Sequence, residues 1–186
     1  MESIIIRNQE NLKGIFYYSD VEYQIIAETG SGNISQLSHY EEAKTYWYSS
    51  SNKPQVLIKF ASFVLITNYS IIKKSGNTFP ASFVLYGKQN GRFVVIDKQE
   101  DQLFDGDITH TKYNLSVTYQ TSKSILTKEV LLKQTKNSDT KKEYLLLRGL
   151  EFYGIVCNNC IMLRTTHKKK HMTYSYSISI YLLLPS

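Results

Sequence analysis

The chain has 186 residues, about one domain's worth and enough to bury a core without metal or disulfide support. With 42% hydrophobic and 20% charged residues the balance is that of an ordinary globular protein, and two cysteines are too few for a disulfide scaffold. The net charge of +6 invites a nucleic-acid or membrane partner, but its distribution argues against one. No acid follows Glu151, and Arg164, Lys168, Lys169 and Lys170 supply +4, which leaves the first 156 residues at only +2.

Residues 1–13 read as a loose lead-in with one three-residue apolar run before Arg7 and no secretory signal. From Gly14 to Tyr23 the chain is aromatic-rich and suits a short strand or a turn of helix. Residues 27–47 are polar with two glycines and read as a long loop; loops of that length are usually functional or mobile. After Trp47 come short runs of β-formers at 55–60, 63–72, 81–87, 92–97, 113–119, 128–134 and 143–156, separated by polar or turn-forming stretches at 73–80, 98–111 and 136–142. Fifteen tyrosines, eight phenylalanines and many β-branched residues suit pleated, half-buried surfaces. Asn90-Gly91 predicts a hairpin, because both central positions of a type I′ turn need positive φ. No stretch sustains the helical apolar period, and no repeat of 20–50 residues is present. Seven or eight short strands predict an all-β sandwich or jelly roll. Ile178 to Leu184 falls far short of the roughly 20 residues of a membrane span, so the expectation is a cytoplasmic protein.

These runs occur in a recognisable order. Trp47-Tyr48-Ser49-Ser50, Asn52 to Phe60, Tyr69-Ser70-Ile71, Ala81 to Gly87, Asn90-Gly91-Arg92-Phe93 with Ile96-Asp97, and Leu150-Glu151-Phe152-Tyr153-Gly154 together resemble the discoidin domain, the coagulation factor V/VIII type C module, in its divergent protist form. Gly14-Ile15-Phe16 resembles the family's lead-in, so the likeness covers residues 14–156. Leu57 and Phe83 stand where that family often has Trp, Ala61 where it has Asp, and Leu131 where it has Arg. The first two changes keep apolar volume. The Asp and Arg are absent together, the tolerable way to lose a buried ion pair.

The resemblance implies a galactose-binding-like jelly-roll β-sandwich that binds ligands through loops at one end. Here those are the 33–47 and 73–80 loops, with Tyr40, Tyr46, Trp47, Lys73, Lys74, Asn77 and Phe79 as candidate ligand contacts. Trp47, the chain's one tryptophan, can stack on a sugar face or plug the end of the sandwich, and the family position favours the plug. The implied partner is a carbohydrate or a membrane or cell-surface ligand. An anionic lipid headgroup or a protein surface is equally compatible with exposed lysines and aromatics. The alternative function is an intracellular protein–protein interaction module, consistent with two reduced cysteines and no signal peptide; a third is a decayed copy with no ligand.

Catalysis finds no support. His39 and His110 fall in loops near Glu41, Glu42, Asp105 and Asp107, but the spacings fit no triad, zinc-protease or glycosidase pattern. The expectation is a non-enzyme with no cofactor. In the tail, residues 157–186, Cys157-x2-Cys160 and His167-x3-His171 hold the ligand types of a tetrahedral zinc site. Only six residues separate the second Cys from the first His, where a ββα finger wants about twelve. The expected tail is basic, low in complexity, poorly ordered and metal-free, with zinc the minor alternative and Lys168–Lys170 solvated.

Overall fold

The computed structural model describes residues 14–17, 21–27, 34–38, 47–49, 54–74, 79–102, 109–111, 114–137, 145–157, 161–164 and 179–182. The chain divides into two compact units, Met1–Val156 and Cys157–Ser186.

The first unit is built almost wholly of antiparallel strands: β1 (Tyr23–Ile26), β2 (Trp47–Ser49), β3 (Gln55–Lys74), β4 (Pro80–Gln89), β5 (Arg92–Gln99), β6 (Thr109–Thr111), β7 (Asn114–Gln120), β8 (Leu126–Asn137), β9 (Leu145–Leu147) and β10 (Gly149–Cys157). Two 3-10 turns, Ile15–Tyr17 and Ile34–Leu37, precede β1 and β2. Four long strands run in the order β5-β4-β8-β3, with β7 and β6 beyond, and β1 and β10 also pair with β3.

That branching has one cause. The run read as two segments, 55–60 and 63–72, is a single 20-residue strand that turns a corner. From Lys59 to Val64 it advances five residues while its partner β8 advances two, from Glu129 to Thr127. Such a bulge bends a strand and lets it pass from one layer to the other. Its first half pairs with β8 and β1, and its second half with β7. The second half also lies beside β10, where Arg148 N donates to Ile72 O at 2.9 Å. One layer is therefore β5-β4-β8-β3-β1 and the other β6-β7-β3-β10. This is the jelly-roll β-sandwich expected from the sequence.

Between the layers lies a core that includes Val56, Ile58, Phe60, Ile66, Tyr69, Ile71, Phe83, Leu85, Ile96, Val130, Leu132 and Phe152. Val56, Ile58 and Phe60, Tyr69 and Ile71, Phe83 and Leu85, and Val130 and Leu132 fall on alternate residues of their strands, as a sheet with one buried face requires. The 3-10 turn at Ile15–Tyr17 is held to β10 by Glu151, which is 1% exposed. Its Oε1 accepts from Phe152 N at 3.0 Å and Phe16 N at 3.4 Å. Phe16 then meets Tyr23, Phe60 and Phe152 with ring centroids 4.6, 6.0 and 5.6 Å away. Two motifs 135 residues apart, the lead-in and the Leu-Glu-Phe strand, thus close on one another.

The predicted hairpin forms: Gln89 pairs with Arg92 around Asn90 and Gly91 at φ 51° and 79°. Three expectations are refined. The charged stretch 98–111 contains β6 and the last two residues of β5, and the 27–47 loop contains the second 3-10 turn. The Ala61 and Leu131 positions do not face each other. Leu131 lies opposite Leu57, four residues from Ala61, so the two positions are not cross-strand partners here.

In the second unit, β11 (Ile161–Arg164) and β12 (Ser179–Leu182) form an antiparallel ladder with Ile161 opposite Leu182 and Arg164 opposite Ser179.

Candidate binding end of the sandwich

Because β3 doubles back at its corner, its last residues return towards the beginning of β4 and the end of β8, where Pro80 pairs with Asn137. Buried polar side chains gather here: Lys73, Ser82, Gln134, Asn137 and Asp97 are all less than 9% exposed. Ser82 Oγ accepts from Asp101 N at 2.9 Å, and Gln134 N donates to Pro54 O at 3.0 Å. The far end, with the Asn90-Gly91 turn, is exposed at its tip.

Lys73 continues the inward-facing series Tyr69, Ile71 along β3, where the core runs out. Its stem is covered, with 7% of the residue exposed, and its Nζ sits 4.2 Å from the centroid of the Phe79 ring. Phe79 is half-buried and rests on the core. A long cationic side chain buries its methylenes while keeping the head near solvent, and the ring quadrupole attracts the ammonium. One layer deeper, Asp97 Oδ2 accepts from Tyr69 OH at 2.7 Å and from Gln99 Nε2 at 2.8 Å. Tyr69 also meets Tyr119 and Phe83, with ring centroids 5.3 and 6.2 Å away. Burial first, then the bond to Asp97, holds the Tyr69 hydroxyl protonated far above the usual phenol range. This network ties the two layers together beneath Lys73 and Phe79.

Of the residues expected to contact ligand, Lys73 and Phe79 are brought together. Trp47 is 2% exposed, in the core, with β2 paired to β9 through Leu147. Its ring is enclosed among the core residues. Lys74 ends β3; Tyr40, Tyr46 and Asn77 lie outside the described residues. The buried Gln134 and Asn137 at this end were missed from sequence, although polar residues closing the alternating strand Leu126–Asn137 were a signal. Of the histidines weighed for catalysis, His110 lies in β6 and His39 outside the described residues.

The zinc pattern meets an obstacle at Cys157. It is 8% exposed and disulfide-bonded, and a disulfide sulfur is not the thiolate that zinc requires. The reading of two reduced cysteines is corrected by the same observation. Cys160, His167 and His171 lie outside the described residues. Among those described, no three His, Cys, Asp or Glu side chains cluster as metal ligands, and no helix is long and apolar enough to cross a membrane.

This arrangement, a jelly-roll sandwich with its polar groups at one end, has the galactose-binding-like fold. Solved structures with that fold superpose on most of the chain. A Clostridium perfringens module, CpGH89CBM32-5, in complex with GalNAc-β-1,3-galactose, matches with TM-score 0.51 and 13% identity over 71% of this chain and 95% of its own. The family 32 carbohydrate-binding module of C. perfringens NanJ, in complex with galactose, gives 0.51 and 13% over 70% and 93%. The C-terminal domain of a Bacteroides fragilis chitobiase gives 0.52 and 16% over 73% and 95%. At such identities the likeness establishes the fold. No family model and no curated protein sequence matches the chain.

Proposed function

We propose that residues 14–156 form a non-catalytic carbohydrate-binding module whose site is the sandwich end carrying Lys73 and Phe79. The observation that carries this reading is the Lys73 ammonium held 4.2 Å over the Phe79 ring at the end where the 73–80 loop begins. A sugar presents an apolar C–H face and a rim of hydroxyls. An aromatic ring beside a fixed donor suits both, and a lysine already immobilised loses little further rotamer freedom on binding. Lys74 at the end of β3, with Asn77, Tyr40 and Tyr46, completes the contact surface in this reading. The fold neighbours support it, since two are described in complex with galactose or GalNAc-β-1,3-galactose.

The test is a glycan array followed by calorimetry with galactose and GalNAc-β-1,3-galactose. Phe79→Ala and Lys73→Met, the latter keeping the apolar stem, should each weaken binding roughly tenfold or more. A folded chain that binds no glycan, or whose binding survives both substitutions, overturns the proposal. Capture by anionic vesicles or a protein partner in place of glycan would reassign the site to those ligands.

A further inference from the structure

The outer face of the five-stranded layer carries an unbroken apolar row across its full width. Val95 pairs with Tyr86, Tyr86 with Leu131, Leu131 with Leu57 and Leu57 with Ile26. Their strand neighbours Leu85, Ile96, Val130, Leu132, Val56 and Ile58 are in the core, so these five point away from it. None is fully buried, and at the open edge Val95 is 47% and its outward neighbour Phe93 40% exposed.

The row is flanked by cations. Two residues along from Leu57 and Leu131, on opposite sides of the row, stand Lys59 and Lys133. Lys88 lies on the Lys59 side and Lys98 on the Lys133 side. Glu129, opposite Lys59, is taken up by Lys88 at 2.7 Å, and Lys98 is paired with exposed Glu100. Among the described residues, Lys59 and Lys133 have no carboxylate within salt-bridge distance.

We propose that this row is a docking site for an acidic amphipathic helix of a partner protein. Orientation follows from the register. A rod laid along β3 or β8 meets one leucine and then a lysine, whereas a rod laid across the strands meets five apolar side chains in succession. Five strands about 4.8 Å apart span about 19 Å, the length of roughly 13 helical residues. The cationic rows lie about 7 Å to either side, within reach of carboxylates flanking the apolar stripe of such a helix. Charge disfavours a second copy, since facing two such surfaces would bring lysine to lysine. The tail of this chain is disfavoured as well, because no carboxylate side chain follows Glu151. A flat bilayer fits poorly, because the lysines stand beside the row as rails that a helix fits between. A contact this short belongs with weak, transient interfaces.

The test uses the full 186-residue chain and a fluorescent helical peptide of about 14 residues, with leucines along one face and glutamates on both sides. Anisotropy should show micromolar binding. Leu131→Asp, Val95→Asp and the double reversal Lys59→Glu/Lys133→Glu should each weaken it roughly tenfold or more. The double reversal should in turn bind the same peptide with lysines replacing its glutamates. Val95→Asp at the exposed edge keeps the test valid if Leu131→Asp fails to fold, and Phe79→Ala should leave peptide binding unchanged, separating this surface from the sugar site. No binding at about 1 mM peptide, or binding indifferent to Val95→Asp and the double reversal, overturns the proposal. So does a chain that ignores the peptide but, through Leu131, binds phosphatidylcholine–phosphatidylserine vesicles or self-associates in sedimentation.

Discussion

Gly154 of β10 lies against the backbone of Leu65 in β3 so closely that a Cβ built on it would stand 1.8 Å from the Leu65 carbonyl oxygen. Its φ of +153° belongs to a region that side chains rarely adopt. Contact and conformation both demand glycine here, at the place where β3 has just entered the second layer. Gly154→Ala should therefore destabilise the sandwich by more than about 3 kcal/mol, or prevent folding. Urea unfolding monitored by circular dichroism measures it, and a loss under about 1 kcal/mol would show that the two strands can separate freely.

The Tyr69–Asp97 bond joins the layers through a carboxylate with only 4% of the residue exposed. Tyr69→Phe keeps the ring contacts with Phe83 and Tyr119 and removes one of the two donors described on Asp97 Oδ2. The expected loss is about 1.5–3 kcal/mol, the range for a hydrogen bond to a charged group. Chemical denaturation checks this; a neutral result would mean water replaces the hydroxyl.

Alkaline pH should act through the same cluster. Burial, then the charge of Asp97, pushes the Tyr119 hydroxyl from 10.0 up to about 12, and Tyr69 is raised further. Tyr153 is also raised, chiefly by burial and against the bond from Ser70. Between pH 10 and 12 the unfolded chain releases the Tyr119 proton while the folded chain keeps it. This contribution to stability is thus complete below pH 10 and is lost as pH rises through about 12. Tyrosinate absorbance should show exposed tyrosines ionising first and this group only as the fold is lost; all fifteen tyrosines titrating together near pH 10 with β structure retained would contradict it.

Gly91, at φ 79° with nothing within 4 Å of a built Cβ, isolates the conformational requirement of the β4–β5 turn from packing. Gly91→Ala should destabilise by about 1–2 kcal/mol, the left-handed penalty alone. Thermal unfolding measures it, and an unchanged melting temperature would show that the hairpin register does not depend on the turn.

The hairpin, strand alternation and sandwich class were legible in the chain because each is a local signal: a turn pair, a period of two, short runs of β-formers bounded by turn residues. Lys73 and Phe79 were legible as loop-end candidates. Their contact was not, because it depends on how the end of β3 is placed relative to the start of β4. The corner of β3 was hidden as well. Residues 55–60 and 63–72 look like two strands, and only the three-residue excess over β8 reveals one strand passing between layers.

The amino-acid order by itself determined the strand content, the Asn90-Gly91 turn and the alternating positions that enter the core, because backbone sterics and side-chain periodicity act within a few residues. Tertiary structure alone decided which distant groups meet. It set Glu151 on the backbone of Phe16, Tyr69 on Asp97, Gly154 against Leu65, and five apolar residues from five strands into one row between lysines. Each of those relationships depends on register between segments far apart in sequence, and register is set by how the whole sandwich closes.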